Sequence, residues 1–263
     1  MKELVYGRRR RKLLVPESWD EVSSRQYISI AGLLHREGLS KEAQLDRLLH
    51  ILCGKRLVFY LMIPPETRMI CFEHIAWVLT AKHPTKQMVP VYDGLYGPEA
   101  NFGNTEVAEF HHTEDAYEKI VADNDLSALD ELTAILYREP KKEYDVKRNP
   151  DGDVRMPFNF GSMDWNLKRV GKWPMDIKWA TLLWYDACRE NLHETHKPAF
   201  AKGKKSRNYY DGLYPMIRAL AETGRYGPFK EVEKLNIEIA MMDIVSSKLE
   251  EDELKRKYPD LYK

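Results

Sequence analysis

Apolar positions in residues 23–35 fall three and four apart, at Tyr27, Ile30, Ala31 and Leu34, and predict a helix with one buried stripe. Ser23, followed three residues later by Gln26, supplies a capping box at its start. Ser40 opens a second helix with Leu45, Leu48, Leu49 and Leu52 inward, and Gly54 stands just past its end, where a left-handed residue closes many helices. Pro64-Pro65 starts a third, running to about Ala81, with Ile70, Ile75, Ala76 and Leu79 on its apolar side. Residues 82–103 are irregular and rich in Pro and Gly, with a short strand expected from Gln87 to Val91 and Tyr92 and Tyr96 as anchors. Asn104 caps a helix over about Thr105 to Val121. Ser127 to Arg138 forms the next, with Leu129, Leu132, Ile135 and Leu136 on one side.

Periodicity then lapses. Residues 139–161 carry Lys141, Lys142, Lys147, Arg148 and the turn-forming Asn149-Pro150-Asp151-Gly152, and read as a loop or linker. Helix resumes over about Met163 to Val170. Pro174 heads a longer helix to about His196, which buries Ile177, Ala180, Thr181, Trp184 and Cys188. After a polar gap from Lys197 to Asp211, Pro215 starts a short helix ending at Gly224, and a last helical region runs from Phe229 to Tyr258 with a candidate break near Asn236. At the other end of the chain, Leu4-Val5-Tyr6 and Leu13-Leu14-Val15 flank Gly7 and a basic run, the pattern of a β-hairpin with arginines at its turn. The fold class expected is therefore mainly α, a multi-helix globular body with a small N-terminal β-hairpin. The linker at 139–161 separates residues 1–138, hairpin plus helical domain, from a C-terminal helical part, 162–263, with one continuous domain as the alternative.

Composition narrows the functional classes. The chain has 263 residues, 43% of them hydrophobic, enough to bury a core without a metal or disulfide. Lys plus Arg and Asp plus Glu number 41 each, so the basic surplus usual in a dedicated duplex-DNA binder is missing and nucleic acid ranks as an unlikely partner. Cys53, Cys71 and Cys188 are far apart and form no C-x-x-C pair, which removes a zinc ribbon and points to a reducing compartment. Apolar runs such as Leu57 to Pro65 and Ile177 to Tyr185 are too short to span a bilayer, and the expected location is cytoplasmic.

Candidate chemistry is sparse. His111-His112-x-Glu114-Asp115 has metal-binding residue types, but neighbouring histidines on a helix point to different faces, so a solvated polar face is expected. His193 and His196 suit a helix C-terminus, and Glu73-His74 suits a partly buried polar pair. No nucleophile elbow, P-loop, dinucleotide fingerprint or kinase signature occurs, so no catalytic residue, cofactor or metal ligand is assigned and a non-enzymatic role is expected. The candidate interaction residues are charged and aromatic. Arg8, Arg9, Arg10 and Arg11 suit a phosphate or an acidic protein surface, or a plain solvated hairpin tip. Tyr209 and Tyr210 follow the basic stretch Lys202 to Arg207, as in a single-strand binder or a loop. Trp165, Trp173 and Trp179 lie in a tryptophan-rich stretch that supplies core together with a candidate protein-binding face.

Three stretches resemble phage and prophage tail-module proteins of Bacteroidetes-type elements. They are Val15-Pro16-Glu17-Ser18-Trp19-Asp20-Glu21-Val22 with Gln26-Tyr27; Tyr96-Gly97-Pro98 with Leu129 to Leu132 and Ala134 to Arg138; and Trp184 to Arg189 with Ile217 to Glu222 and Gly224 to Phe229. The resemblance covers nearly the whole chain, but its motifs are packing and turn residues and carry no catalytic group. It implies a role like that of tail assembly chaperones, which bind the helical tape-measure protein while the tail tube polymerises, with the tape-measure or tail-tube protein as partner. The implied setting is the bacterial host cytoplasm, with virion association as a variant. The alternatives are a virion component such as a connector or tail-completion protein and, from another class, a nucleic-acid binder or enzyme using the basic segments.

Overall fold

A computed structural model describes residues 1–6, 10–54, 60–143, 152–200 and 214–258. The fold is mainly α with a small antiparallel N-terminal hairpin. Its residues form two units, one made of 1–84 and 173–187, the other of 85–172 and 188–263. The described residues 139–143 and 152–161 belong to the second unit.

In the first unit, β1 (Lys2–Tyr6) pairs with β2 (Arg11–Val15) in the register Lys2↔Val15 to Tyr6↔Arg11. Leu13 and Val15 are buried while Leu14 is exposed, the alternation of a strand with one face on the core. Helix α1 (Ser24–Leu34) has the expected capping box: the Ser23 N–H donates to Gln26 Oε1 at 2.9 Å and the Gln26 N–H to Ser23 Oγ at 3.4 Å. Gln26 Nε2 also donates to the Leu52 carbonyl at 2.8 Å, tying α1 to the last turn of α2 (Lys41–Cys53). That helix closes on Gly54 at φ 58°, a left-handed conformation that glycine adopts without Cβ strain. Helix α3 (Pro65–Ile75) passes into a 3-10 turn, Ala76–Leu79, whose tighter geometry shifts the facing of the residues after Ile75. Cys71, Ile75 and Val78 are buried, whereas Ile70, expected inward, is exposed and Leu79 only half-buried. Trp19 packs edge-on against Tyr27 and Trp77, and its Nε1 donates to the Lys82 carbonyl at 2.8 Å. The first part of α7 (Met175–Thr195) contributes Ile177, Ala180, Leu182, Trp184 and Tyr185 to this core. Gly32 is needed on α1 because a Cβ there would run into the Asp176 carboxylate.

In the second unit, β3 (Val91–Tyr92) and β4 (Leu95–Tyr96) form a hairpin around Asp93 and Gly94, both at positive φ, as a tight two-residue turn requires. The strand expected at Gln87 to Val91 is shifted, since Met88 and Val89 are buried outside it and only Val91 pairs. Helix α4 (Val107–Asp123) begins after Glu106, not Asn104, whose side chain accepts instead from the Glu99 N–H at 2.8 Å. The first N–H groups of α4 donate to the Leu235 and Glu233 carbonyls at 2.8 and 2.9 Å, and the Ile237 N–H returns a bond to Thr105 O at 2.9 Å. Helix α5 (Ser127–Leu136) packs its stripe of Leu129, Leu132, Ile135 and Leu136 with α4 and with α6 (Met163–Val170). Helices α8 (Tyr214–Glu222), α9 (Phe229–Val232) and α10 (Ile237–Lys257) follow, with Asn236 capping the last through the Glu238 N–H at 2.9 Å. Residues 138–141 form a short ladder: Arg138 pairs with Tyr96 on one side, while Glu139 and Lys141 bond Met156 and Val154 on the other at 2.8 Å. No described helix is long and apolar enough to cross a membrane.

The stripe assignment on α4 and α5 predicts unequal mutational costs. Leu132→Ala, at a fully buried position, lowers unfolding stability by about 2–5 kcal/mol, whereas Val121→Ala, 65% exposed on α4, changes it by less than about 0.5 kcal/mol in urea titrations.

Candidate functional site

The candidate interaction residues do not form one constellation. Arg8, Arg9, Tyr209 and Tyr210 lie outside the described residues. Arg10, at φ 46°, and Arg11 are exposed at the hairpin tip of the first unit. Trp173 is only 6% exposed and belongs to the core, because its indole packs inward just ahead of α7; it presents no face to a partner. Trp179 is half-buried and stacks on His35 with ring centroids 3.9 Å apart. Trp165 in the second unit is 52% exposed, with the Arg169 guanidinium 5.4 Å from its ring centre. His193 stacks on Phe200 at 3.8 Å, and His196 Nε2 lies 2.7 Å from a Glu238 carboxylate oxygen. Glu73 is exposed and His74 half-buried. His112 packs against Phe158 and Phe160 at 5.5 and 4.9 Å, and burial holds its pKa below the ordinary histidine value. Among the described residues no group of three or more His, Cys, Asp or Glu is placed to hold a metal ion. Burial pushes the thiols of Cys71 and Cys188 up to about 11 and about 12, so both stay protonated at neutral pH.

The densest polar arrangement is buried in the second unit. Arg155, 1% exposed, donates from Nη1 to Glu109 Oε1 at 2.7 Å and to the Leu136 carbonyl at 3.0 Å. Its Nη2 reaches Glu109 Oε2 at 3.2 Å, Asp153 Oδ2 and the Asn104 carbonyl at 3.0 Å each, and its Nε reaches Asp153 Oδ1 at 3.0 Å. Burial opposes its charge, but the Glu109 and Asp153 carboxylates outweigh that and hold its pKa above the ordinary arginine value. Arg138, at the end of α5, shares the same two carboxylates through Nη2 at 3.1 and 3.4 Å. It is 4% exposed, and its Nε and Nη1 have no hydrogen-bond partner among the described residues. Burial is the main reason its pKa lies below the ordinary value, with Arg155 adding to the effect and Glu109 countering it. Burial also pushes the Glu106 carboxyl up to about 7, with Arg138 opposing the rise and Glu109 reinforcing it.

Arg138 also lines a cavity of about 660 Å³. Glu139, Met156, Pro157, Phe158, Asn159, Ser162, Trp165 and Asn166 complete its wall. Residues 157–162 are held by short-range bonds: Asn159 Oδ1 accepts from the Gly161 N–H at 2.9 Å, and Ser162 Oγ donates to the Asn159 carbonyl at 2.8 Å. From α6, Arg169 donates to Asp93 Oδ2 at 3.0 Å and stands 3.8 Å from a Glu139 oxygen, so the rim carboxylate has a counter-charge. Of its lining residues Met156 and Trp165 are exposed, as is Phe160, which lies between Asn159 and Ser162 in sequence. The cavity wall therefore combines polar residues with aromatic and apolar ones.

Of this site only Trp165 was a sequence candidate. Glu109 had a signal: it occupies the apolar stripe of α4, with Thr113, Ala116 and Ile120 following at four, three and four residues, and a charge on a buried stripe needs a buried partner. Arg138, Arg155 and Asp153 stood at a helix end and in a charge-rich loop, where solvation was the natural reading. Comparisons with protein-family models, curated proteins and solved structures found no match to this chain.

Glu109→Gln removes one carboxylate from two buried guanidinium groups and lowers stability by about 3–5 kcal/mol in urea unfolding. Glu106 gives a pH signature of defined sign. Its folded pKa, about 7, lies above its ordinary 4.5, so the unfolded chain loses this proton first as pH rises. Its stabilisation is fully present below about 4.5 and is lost as pH climbs to about 7. Relative to the wild type, Glu106→Gln shows a shallower loss of denaturation midpoint across that window, and identical slopes would refute the assignment.

Proposed function

We propose that this chain is a non-enzymatic protein-binding factor of phage tail morphogenesis, similar in role to a tail assembly chaperone. The observation that carries the binding role is the apolar rim of the second unit. Trp165 is 52% exposed and Met156 46%, both in the wall of a cavity that also carries polar groups, and Phe160, between the lining residues Asn159 and Ser162 in sequence, is 62% exposed. Water-exposed apolar side chains of this size, grouped about a concavity and ringed by polar atoms, are the signature of a surface that a partner covers. Aromatic side chains are also the usual anchors of such contacts, because they bury a large area with few rotatable bonds. The tail-module resemblance supports the particular partner, a tape-measure or tail-tube protein, whose amphipathic helices match an aromatic cleft.

Co-expression of the tagged chain with the neighbouring tail proteins, followed by affinity capture and mass spectrometry of purified particles, tests this reading. Enrichment of the tape-measure or tube protein, with this chain missing from particles, is the expected result. A fixed copy number in particles would instead make it a structural component, and salt-sensitive co-elution of nucleic acid would transfer the role to the basic segments. The double variant Phe160→Ser, Trp165→Ser is expected to weaken partner capture by about tenfold or more with a much smaller effect on the melting temperature, since both side chains are more than half exposed.

A further inference from the structure

The start of α4 and the segment between α9 and α10 are joined by a small set of hydrogen bonds. The Val107 and Ala108 N–H groups donate to the Leu235 and Glu233 carbonyls, and the Ile237 N–H donates to Thr105 O, at 2.8, 2.9 and 2.9 Å. Asn236 Nδ2 adds a bond to the Gly103 carbonyl at 2.8 Å, and the Asn236 backbone pairs with that of Glu106. Glu106 thus stands in the middle of this joint, half-buried and just ahead of the first turn of α4. The cations around it are already matched. Arg138 and Arg155 form direct ion pairs with Glu109 and Asp153, two guanidinium groups for two carboxylates. An ionised Glu106 would be a third carboxylate against those two. On the α10 side, Glu238 is engaged with His196 at 2.7 Å.

The first N–H groups of a helix have no partner within it and take an acceptor from elsewhere. The residue ahead of the first turn often supplies one from its own side chain. In this joint the carbonyls of 233 and 235 hold that place. A neutral carboxyl competes weakly for such donors. A carboxylate accepts roughly twice as strongly as a neutral oxygen and is favoured at the positive end of the helix. Loss of the Glu106 proton to water therefore has two consequences that act in the same direction. It puts an uncompensated charge into a joint partly closed to solvent, and it creates an acceptor that rivals the two carbonyls.

We propose that Glu106 is a proton gate on this joint: protonated, it leaves residues 233–237 docked on α4, and ionised, it takes over the first N–H groups of α4 and releases the segment with the start of α10. This device does not rest on the protein-binding reading above. It also goes beyond a general loss of stability with pH, because one joint opens while α5 stays folded.

Amide exchange of the full chain, followed by NMR at residue resolution from about pH 5 to pH 8 and corrected for the intrinsic rate, tests the gate. Ile237 is the reporter, since its N–H loses the Thr105 carbonyl when the segment leaves. Its protection is expected to fall by about tenfold or more over that range, and at the upper end to lie about tenfold or more below that of Leu132 on α5. Glu106→Gln, which keeps the shape of the neutral acid, is expected to hold Ile237 protection constant. His196→Gln is expected to retain the wild-type pH dependence, which separates the gate from the His196–Glu238 contact. Equal protection of Ile237 and Leu132 would mean that only the whole unit opens and would overturn the proposal. Ile237 protection that ignores pH, or a pH dependence that survives Glu106→Gln, would overturn it as well. Loss of the dependence in His196→Gln would move the switch to the start of α10 and away from Glu106.

Discussion

The second unit depends on two arginines and two acids removed from water together. Glu109 comes from α4, Arg138 from the end of α5, and Asp153 and Arg155 from the strand-like segment beyond the charged loop, so the cluster joins three stretches distant in sequence. Burying any one of these charges alone is strongly unfavourable, and only the mutual contacts together with the Leu136 and Asn104 carbonyls offset the desolvation. The arrangement is consequently all-or-none. A register slip of one residue at 153–155 would turn Arg155 to the other side of its ladder and strand Glu109. A uniform apolar core would tolerate such a slip more easily, so the cluster contributes specificity of pairing more than net stability. The backbone bonds from Glu139 to Met156 and from Lys141 to Val154 follow the same register and reinforce it.

That cluster also determines where the unit meets its surroundings. Arg155 is saturated and enclosed, whereas Arg138 is satisfied on one nitrogen and its other two are buried without a partner among the described residues. The same ion pairs that fix Arg138 in place keep its remaining donors oriented, because its side chain is clamped through Nη2 by two carboxylates at once. Trp165, in the wall of the cavity that Arg138 also lines, is 52% exposed and keeps apolar area in water at a cost in solvation.

Much of the helical body was legible from spacing alone. The Ser23–Gln26 box, the Ser40 start, the Gly54 stop and the stripe through Leu129, Leu132, Ile135 and Leu136 depend on contacts within a few residues, and those are local enough to be written in a short window. Errors gathered where geometry departs from an ideal helix or where the partner is remote. Ile70 fell on the exposed side because the buried face of α3 runs through Cys71 and Ile75, and Ile70 sits about 100° around the helix from Cys71. Asn104 serves Glu99 rather than α4, since carbonyls from 233 and 235 already receive the first N–H groups of that helix. Trp173 and Trp165 are eight residues apart with equal propensities, yet one is core and the other surface, a distinction set by tertiary packing.

The stretch at 139–161 shows most clearly why charge-rich sequence misleads. Lysines, arginines and acids without apolar periodicity usually mean solvation, and that rule treats each charge singly. Asp153 and Arg155 break it as a pair, because they alternate on one face of a strand-like segment and thus arrive together beside Glu109. The clue was present not in the loop but in α4, where a glutamate takes a place between Thr105 and Thr113 on an otherwise buried face. A charge on an apolar stripe demands an opposite charge from elsewhere in the chain, and an excursion dense in lysine, arginine and acids is a natural supplier. The buried acid and the apparently solvated loop are each anomalous alone, and each accounts for the other.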